Sequence, residues 1–321
     1  MKKIFLRFLF ILTFVSLSSC SIQQMAYNAI APLPEKKLKN ENKPKKKNAG
    51  DPILAFTSET DIKLVADAFP VLLKTVEMLY FNDPSHRGVS IMAGQLFIMY
   101  ANAFVERPAK QMSDDFYNEK HAEFMRAKKF YLRGVKYVFN ALNLEYPSFS
   151  ENVFSLDETK VSSAINQLKP HNVEAIFYGA SGLLAAFALE PLDAEVMDRV
   201  DAARLMLEKA CELNPSFNGG SLWEVLTSYY VAVPEGFGGG EEKAKAAYKK
   251  AMEYSQGKTP SIYITYATAF CVPVQDGDAF VANLKKALAI NPDDNPETRL
   301  MTILSQDTAR WMLEHKDEFI Y

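Results

Sequence analysis

The stretch VDAARLMLEKACELNP, residues 200–215, decides the fold. Ala203, Leu207, Ala210 and Leu213 are spaced by 4, 3 and 3, which draws one apolar stripe along one face of a helix. Asn214-Pro215 then stops that helix, because proline lacks the backbone donor and restricts the residue before it. Residues 277–292, GDAFVANLKKALAINP, repeat the arrangement with Phe280, Leu284, Ala287 and Ile290 before Asn291-Pro292. Ala127/Tyr131/Gly134/Tyr137 and Ala244/Tyr248/Ala251/Tyr254 carry the same spacing. The third place is always small, which lets a second helix approach closely.

Those third places, at 134, 210, 251 and 287, are 76, 41 and 36 residues apart. The last two gaps fall near the period of tetratricopeptide repeats, about 34 residues. The first reads as one repeat plus an insertion around Glu145 to Pro170. A partner helix precedes each striped one, at about Arg87–Val105, His171–Leu189, Ser216–Val231 and Thr259–Val272. The first two share Ile91-Met92-Ala93-Gly94 and Ile176-Phe177-Tyr178-Gly179; the last two share Ser221-Leu222-Trp223 and Ser261-Ile262-Tyr263. Asp61–Phe81 and Pro296–Phe319 supply capping helices, which terminal repeats require. With strand signals almost absent, the expectation is an all-α chain, a tetratricopeptide-like solenoid of helical hairpins with capping helices; an irregular helical bundle is the alternative.

Upstream of this body the chain has a different character. Lys2, Lys3 and Arg7 flank the apolar run Ile4 to Val15, and Leu17-Ser18-Ser19-Cys20 follows, the pattern of a bacterial lipoprotein signal. Cleavage before Cys20 would leave that residue carrying acyl chains, two or more of which anchor stably at about 0.8 kcal/mol per buried CH2. An ordinary cleaved signal or a single transmembrane helix is the alternative, and the apolar run is short for a span. Ser21 after the cysteine favours an outer-membrane anchor over an inner one. Ser21 to Pro52 holds four prolines and seven lysines and few apolar groups, a composition that cannot offset its ordering entropy. The expected divisions are a signal over 1–19, a lipidated basic tether over 20–52 and a helical domain over 53–321. Roughly 30 such residues span about 30 Å.

Of 36 basic residues, three lie in the signal and seven in the tether, so the body sets 26 against 36 acids. An acidic body argues against nucleic acid as a partner, since phosphate needs the opposite sign. At 48% apolar and 12% aromatic residues the body can fill a sizeable core.

Residues for chemistry are sparse. His86, His121, His171 and His315 are scattered without metal-ligand spacing, and no cofactor is expected beyond lipid on Cys20. Cys211 and Cys271 sit in apolar helical contexts and read as buried free thiols. Gly238-Gly239-Gly240 precedes a helix whose first turn holds Glu241 and Glu242, which repels an anion, so a tight turn is favoured over a phosphate loop. Trp223, Tyr229, Tyr230, Tyr263, Tyr266 and Phe270 lie on two successive partner helices, the helices that line the concave face of tetratricopeptide folds. The tryptophan and tyrosines are therefore the candidate ligand cleft, a greasy slot with polar tips. Packing between repeats is the competing role for each.

The C-terminal third carries more than periodicity. It reads Tyr229-Tyr230, Val233-Pro234-Glu235, Gly238-Gly239-Gly240, Lys243-Ala244, Cys271-Val272-Pro273, Gln275-Asp276, Ala289-Ile290-Asn291-Pro292, Asn295-Pro296-Glu297, Arg299-Leu300 and Ala309-Arg310-Trp311. In order and spacing this resembles the T-component (TatT) family of tripartite ATP-independent periplasmic (TRAP) transporters, densest over the last 90 or so residues and continuous back to about Asp61. The resemblance implies a non-enzymatic lipoprotein on the periplasmic side of a bacterial membrane. It further implies association with the transporter's substrate-binding protein, assembly as a homotrimer, and a cleft or pore suited to a hydrophobic small molecule. Glu241, Thr302 and Asp307 depart from the family pattern, where Asp, Asn and a basic residue are more usual. A generic tetratricopeptide scaffold in envelope assembly is the alternative function.

Overall fold

The computed structural model describes residues 54–321, and every regular element among them is helical. The signal, Cys20 and the basic segment to Pro52 lie outside the described residues. Helix α1 is Ile62–Asn82. Helix α2, Arg87–Tyr100, runs on through a π-helical turn, Ala101–Glu106, into Arg107–Lys110. Helices α3, Tyr117–Glu145, α4, Glu158–Asn166, α5, Val173–Leu189, and α6, Val200–Leu213, follow. Next come α7, Ser221–Ala232, and α8, Glu241–Ser255. Helix α9, Pro260–Tyr266, ends in a second π-helical turn, Ala267–Cys271, before α10, Gly277–Leu288, and α11, Arg299–Glu314.

Several starts have a local cause. Asp61 caps α1 by accepting from the Leu64 N–H at 3.0 Å, and His86 caps α2 through Nδ1, which accepts from Val89 N–H at 3.1 Å. Asp276 does the same for α10. Helix α7 begins five residues later than its pattern suggests, because Asn218, Gly219 and Gly220 adopt left-handed backbone and hold the chain in a turn. The stretch 145–170, expected as an insertion, holds the short helix Phe149–Val153 and α4.

Helix α4 packs on α6, and with α4 set aside successive helices pack in pairs from α2–α3 through α3–α5 to α10–α11; α2, α5, α7, α9 and α11 also touch one another in that order. These five form a row, and α3, α6, α8 and α10 each pack against two successive members of it. Helix α3 is sandwiched between α2 and α5 at glycines. A Cβ on Gly94 would stand 2.7 Å from the Gly134 carbonyl oxygen, and one on Gly179 3.0 Å from Val138. The other small stripe positions, Ala210, Ala251 and Ala287, are buried at 1% exposure or less. Leu207, Leu222, Leu226 and Phe280 fill the space between, each contributing about 1.5–3 kcal/mol by leaving water.

Arg87–Lys110 and Pro170–Leu189 are long and apolar enough by composition to cross a bilayer. Here they are core helices: Val89, Phe97, Ile176 and Leu183 are all buried against their neighbours. Cys211 and Cys271 are buried free thiols, and burial pushes the Cys211 thiol up to about 12.

Finally, the two ends of the described chain meet. The short helix Leu54–Thr57 and α1 both pack on α11, and Arg299 donates from Nη1 to the Ser58 carbonyl at 3.1 Å.

Candidate functional site

A cleft of about 600 Å³ lies among α2, α7, α9 and α11, a size that suits a small-molecule ligand. Both helices with π-helical turns contribute to it. The extra residue of such a turn shifts everything after it round the helix, and π turns recur at functional sites. In α2 the turn sets Asn102, Ala103 and Glu106 on the cleft wall, with Arg107 following; in α9 it brings Thr268.

The cationic side chains of the wall are all matched. Arg107 donates from Nη1 to Asp307 on α11, where Gln111 also reaches at 3.4 Å. Lys110 pairs with Glu106 at 2.5 Å, and Glu106 accepts as well from the hydroxyl of the fully buried Tyr131. Lys120 pairs with Asp114 at 2.7 Å.

Glu224 is different. It stands on α7, and no cation among the described residues lies within ion-pair distance of it. The Ser261 hydroxyl donates to Oε2 and the Thr265 hydroxyl to Oε1, both at 3.0 Å and both from α9. Burial pushes its carboxyl above the ordinary range, and the two hydrogen bonds only partly oppose that shift. It is half-buried and lines the cleft. Across from this polar strip α11 presents Met301, Leu304, Trp311 and Met312, with Phe319 beyond its end. The Trp311 ring stacks on His315 at 5.0 Å, and its indole N–H is buried with no acceptor among the described residues. The wall is therefore amphipathic.

None of the five aromatics expected to form a cleft lines this one. Trp223 donates its indole N–H to the Pro215 carbonyl at 2.9 Å. Tyr229 and Tyr230 are buried with their rings edge to face, and the Tyr230 hydroxyl donates to Glu208 at 2.7 Å. Tyr263 donates to the Gly257 carbonyl at 3.2 Å. Tyr266 packs with Tyr248 and Phe270 at ring distances of 5.1 and 5.4 Å. Helix geometry explains the displacement: one residue is about 100° of rotation. The aromatic faces of α7 and α9 turn into the packing, while Glu224 beside Trp223, and Ile264 and Thr265 beside Tyr263 and Tyr266, face the cleft. One feature of the sequence marks the site, Glu224 as the lone charged residue of α7. Asn102, Glu106 and Arg107 carry no such mark, since a π turn breaks the period that would place them.

The glycines after α7 form a tight turn. Gly238 and Gly240 have φ of 91° and 111°, the Gly240 N–H donates to the Tyr230 carbonyl, and a Cβ on Gly239 would sit 1.9 Å from the Val233 carbonyl oxygen. Among the described residues no group of three or more His, Cys, Asp or Glu is placed to hold a metal.

Comparison with known proteins supplies the family. The family model described as TRAP transporter T-component matches residues 58–320, which takes in every helix from α1 to α11. The chain belongs to the TRAP transporter T-component family. An uncharacterised protein of Treponema pallidum (strain Nichols) is 40% identical over 306 residues, covering 94% of this chain and 93% of that protein. The likeness seen over the last third of the sequence thus extends along the whole helical body. As a T-component the chain is part of a transport system at a membrane. Two of the residues expected to depart from the family pattern have structural partners in this T-component: Asp307 accepts from Arg107 across the cleft, and Glu241 pairs with Lys245 on the surface. Thr302 is buried at 7% exposure.

Proposed function

We propose that this T-component is a lipid-anchored accessory subunit on the periplasmic side of a bacterial membrane. It docks the substrate-binding protein of a TRAP transporter and holds a small, largely apolar molecule in the cleft. The match of the family model to residues 58–320 carries this reading, and the 600 Å³ cleft supports the ligand role. The leader pattern ending at Cys20 supports the anchor, with Ser21 favouring the outer membrane. The order of helix contacts, hairpin on hairpin, supports a tetratricopeptide-like arrangement. Assembly as a homotrimer belongs to the same proposal.

The test is native extraction of the tagged chain from its own membranes, followed by identification of co-purified proteins and native mass spectrometry of the complex. The expected result is a substrate-binding protein of a TRAP system in the eluate, a trimeric mass, and a Cys20 carrying a diacylglycerol on its thiol and a third acyl chain on its amine. Recovery of membrane-assembly machinery with no solute-binding subunit would instead establish an envelope scaffold.

A further inference from the structure

The cleft wall has a charge imbalance that an apolar ligand alone would leave unmet. Arg107, Lys110 and Lys120 each have an acid partner: Asp307, Glu106 and Asp114. Glu224 has none. A carboxylate offers about four acceptor positions, and the hydroxyls of Ser261 and Thr265 occupy two, one on each oxygen. Those two bonds orient the group and leave acceptor capacity beside the cleft. A charge withdrawn from water without a partner is costly, so a half-buried, uncompensated acid on a cavity wall is a feature that a ligand would complete. Ile264 and Leu304 line the same cleft and suit the ligand's hydrocarbon part.

We propose that the cleft binds an amphipathic ligand bearing a protonated amine, with the ammonium on Glu224 and the apolar body against Ile264 and Leu304. This rests on reading the cleft as the ligand site. An ammonium donates three hydrogen bonds, enough to engage both free positions on Glu224 and the nearby Thr265 oxygen. A carboxylate ligand would meet like charge at Glu224, and its natural partners on the opposite wall are already taken. The proposal therefore predicts a ranking of ligands by head group, at constant hydrocarbon.

Three probes of one shape separate the outcomes: cyclohexylmethylammonium, cyclohexylmethanol and cyclohexanecarboxylate. Each is titrated calorimetrically at pH 7.5 into the full chain in nanodiscs, with empty nanodiscs as the blank. The ammonium is expected to bind at least tenfold tighter than the alcohol, and the carboxylate weakest. Glu224→Gln should remove that tenfold advantage and leave the alcohol unchanged. Thr265→Val, which removes one orienting bond and keeps the charge, should give an intermediate loss and covers the case in which the first variant does not fold. Equal affinities for ammonium and alcohol, or an ammonium affinity indifferent to both substitutions, would overturn the amine assignment and leave the cleft as a site for neutral ligands. Leu304→Trp narrows the cleft. If it leaves all binding unchanged, or if none of the probes binds the unaltered protein, the cleft itself is not the ligand site and both readings fall.

Discussion

At Glu224 the fold tolerates an acid where burial disfavours its charge. Its folded-state value lies above the ordinary 4.5, so the native protein holds this proton more tightly than the unfolded chain. The contribution to stability is therefore full at low pH and is lost as pH rises from about 4.5 through the raised folded value. The groups facing it are the Ser261 and Thr265 hydroxyls of α9, with Tyr248 of α8 close enough to feel its charge, and none is cationic. Glu224→Gln removes the titration. Thermal melts across pH should show the variant and the parent equal well below pH 4.5, with the variant gaining as pH rises. A variant less stable than the parent at every pH would mean that the carboxylate serves mainly to cement α7 to α9. Among residues, Glu224 was open to a sequence reading as a lone acid among apolar neighbours. The five aromatics looked more informative, yet each found its partner in the packing, because an amphipathic ring serves a helix interface as well as a ligand. Only which face of the helix turns inward separates those roles.

At the level of the helix, α3 depends on having no side chain at Gly134. A Cβ there would stand 2.7 Å from the Gly94 carbonyl oxygen and 2.7 Å from Ile98, so α2 and α3 would have to separate. Gly134→Ala should cost roughly 1–3 kcal/mol, the range for overpacking, despite alanine's better helix propensity; chemical denaturation measures it. The end of α10 depends on a distant side chain. Gln306 of α11 donates from Nε2 to the carbonyls of Ala287, Leu288 and Ile290, at 3.3, 3.2 and 2.6 Å. Helix ends leave such carbonyls without partners, so Gln306→Leu should destabilise by about 1–3 kcal/mol and raise amide exchange at the end of α10. The helices themselves were legible, since the 4, 3, 3 stripes and the Asn-Pro stops encode them locally. Their starts were less so: Asn218 and Gly219 entered a left-handed turn where the pattern had continued a helix. The capping by Gln306 spans 16 to 19 residues, and no local pattern announces it.

Across the whole molecule, the cleft exists because α11 comes back onto the N-terminal helices. Arg107 and Asp307, 200 residues apart, pair across it, and Arg299 reaches Ser58 over 241. Asp307 is 40% exposed, so its pair with Arg107 is screened and adds only about 0–1 kcal/mol to global stability. Its effect should be local. Asp307→Asn is expected to leave the melting temperature within a few degrees while hydrogen exchange in α11 and Arg107–Lys110 rises; unchanged exchange there would show that apolar packing alone holds the closure. Helix content, the acidic body and the family likeness all follow from the sequence by itself, because each is carried by composition or by residue spacing along the chain. The cleft could not be read that way. Its wall is made by two π turns that reset the helical phase and by contacts two hundred residues apart, and only the packed structure determines which faces those bring together.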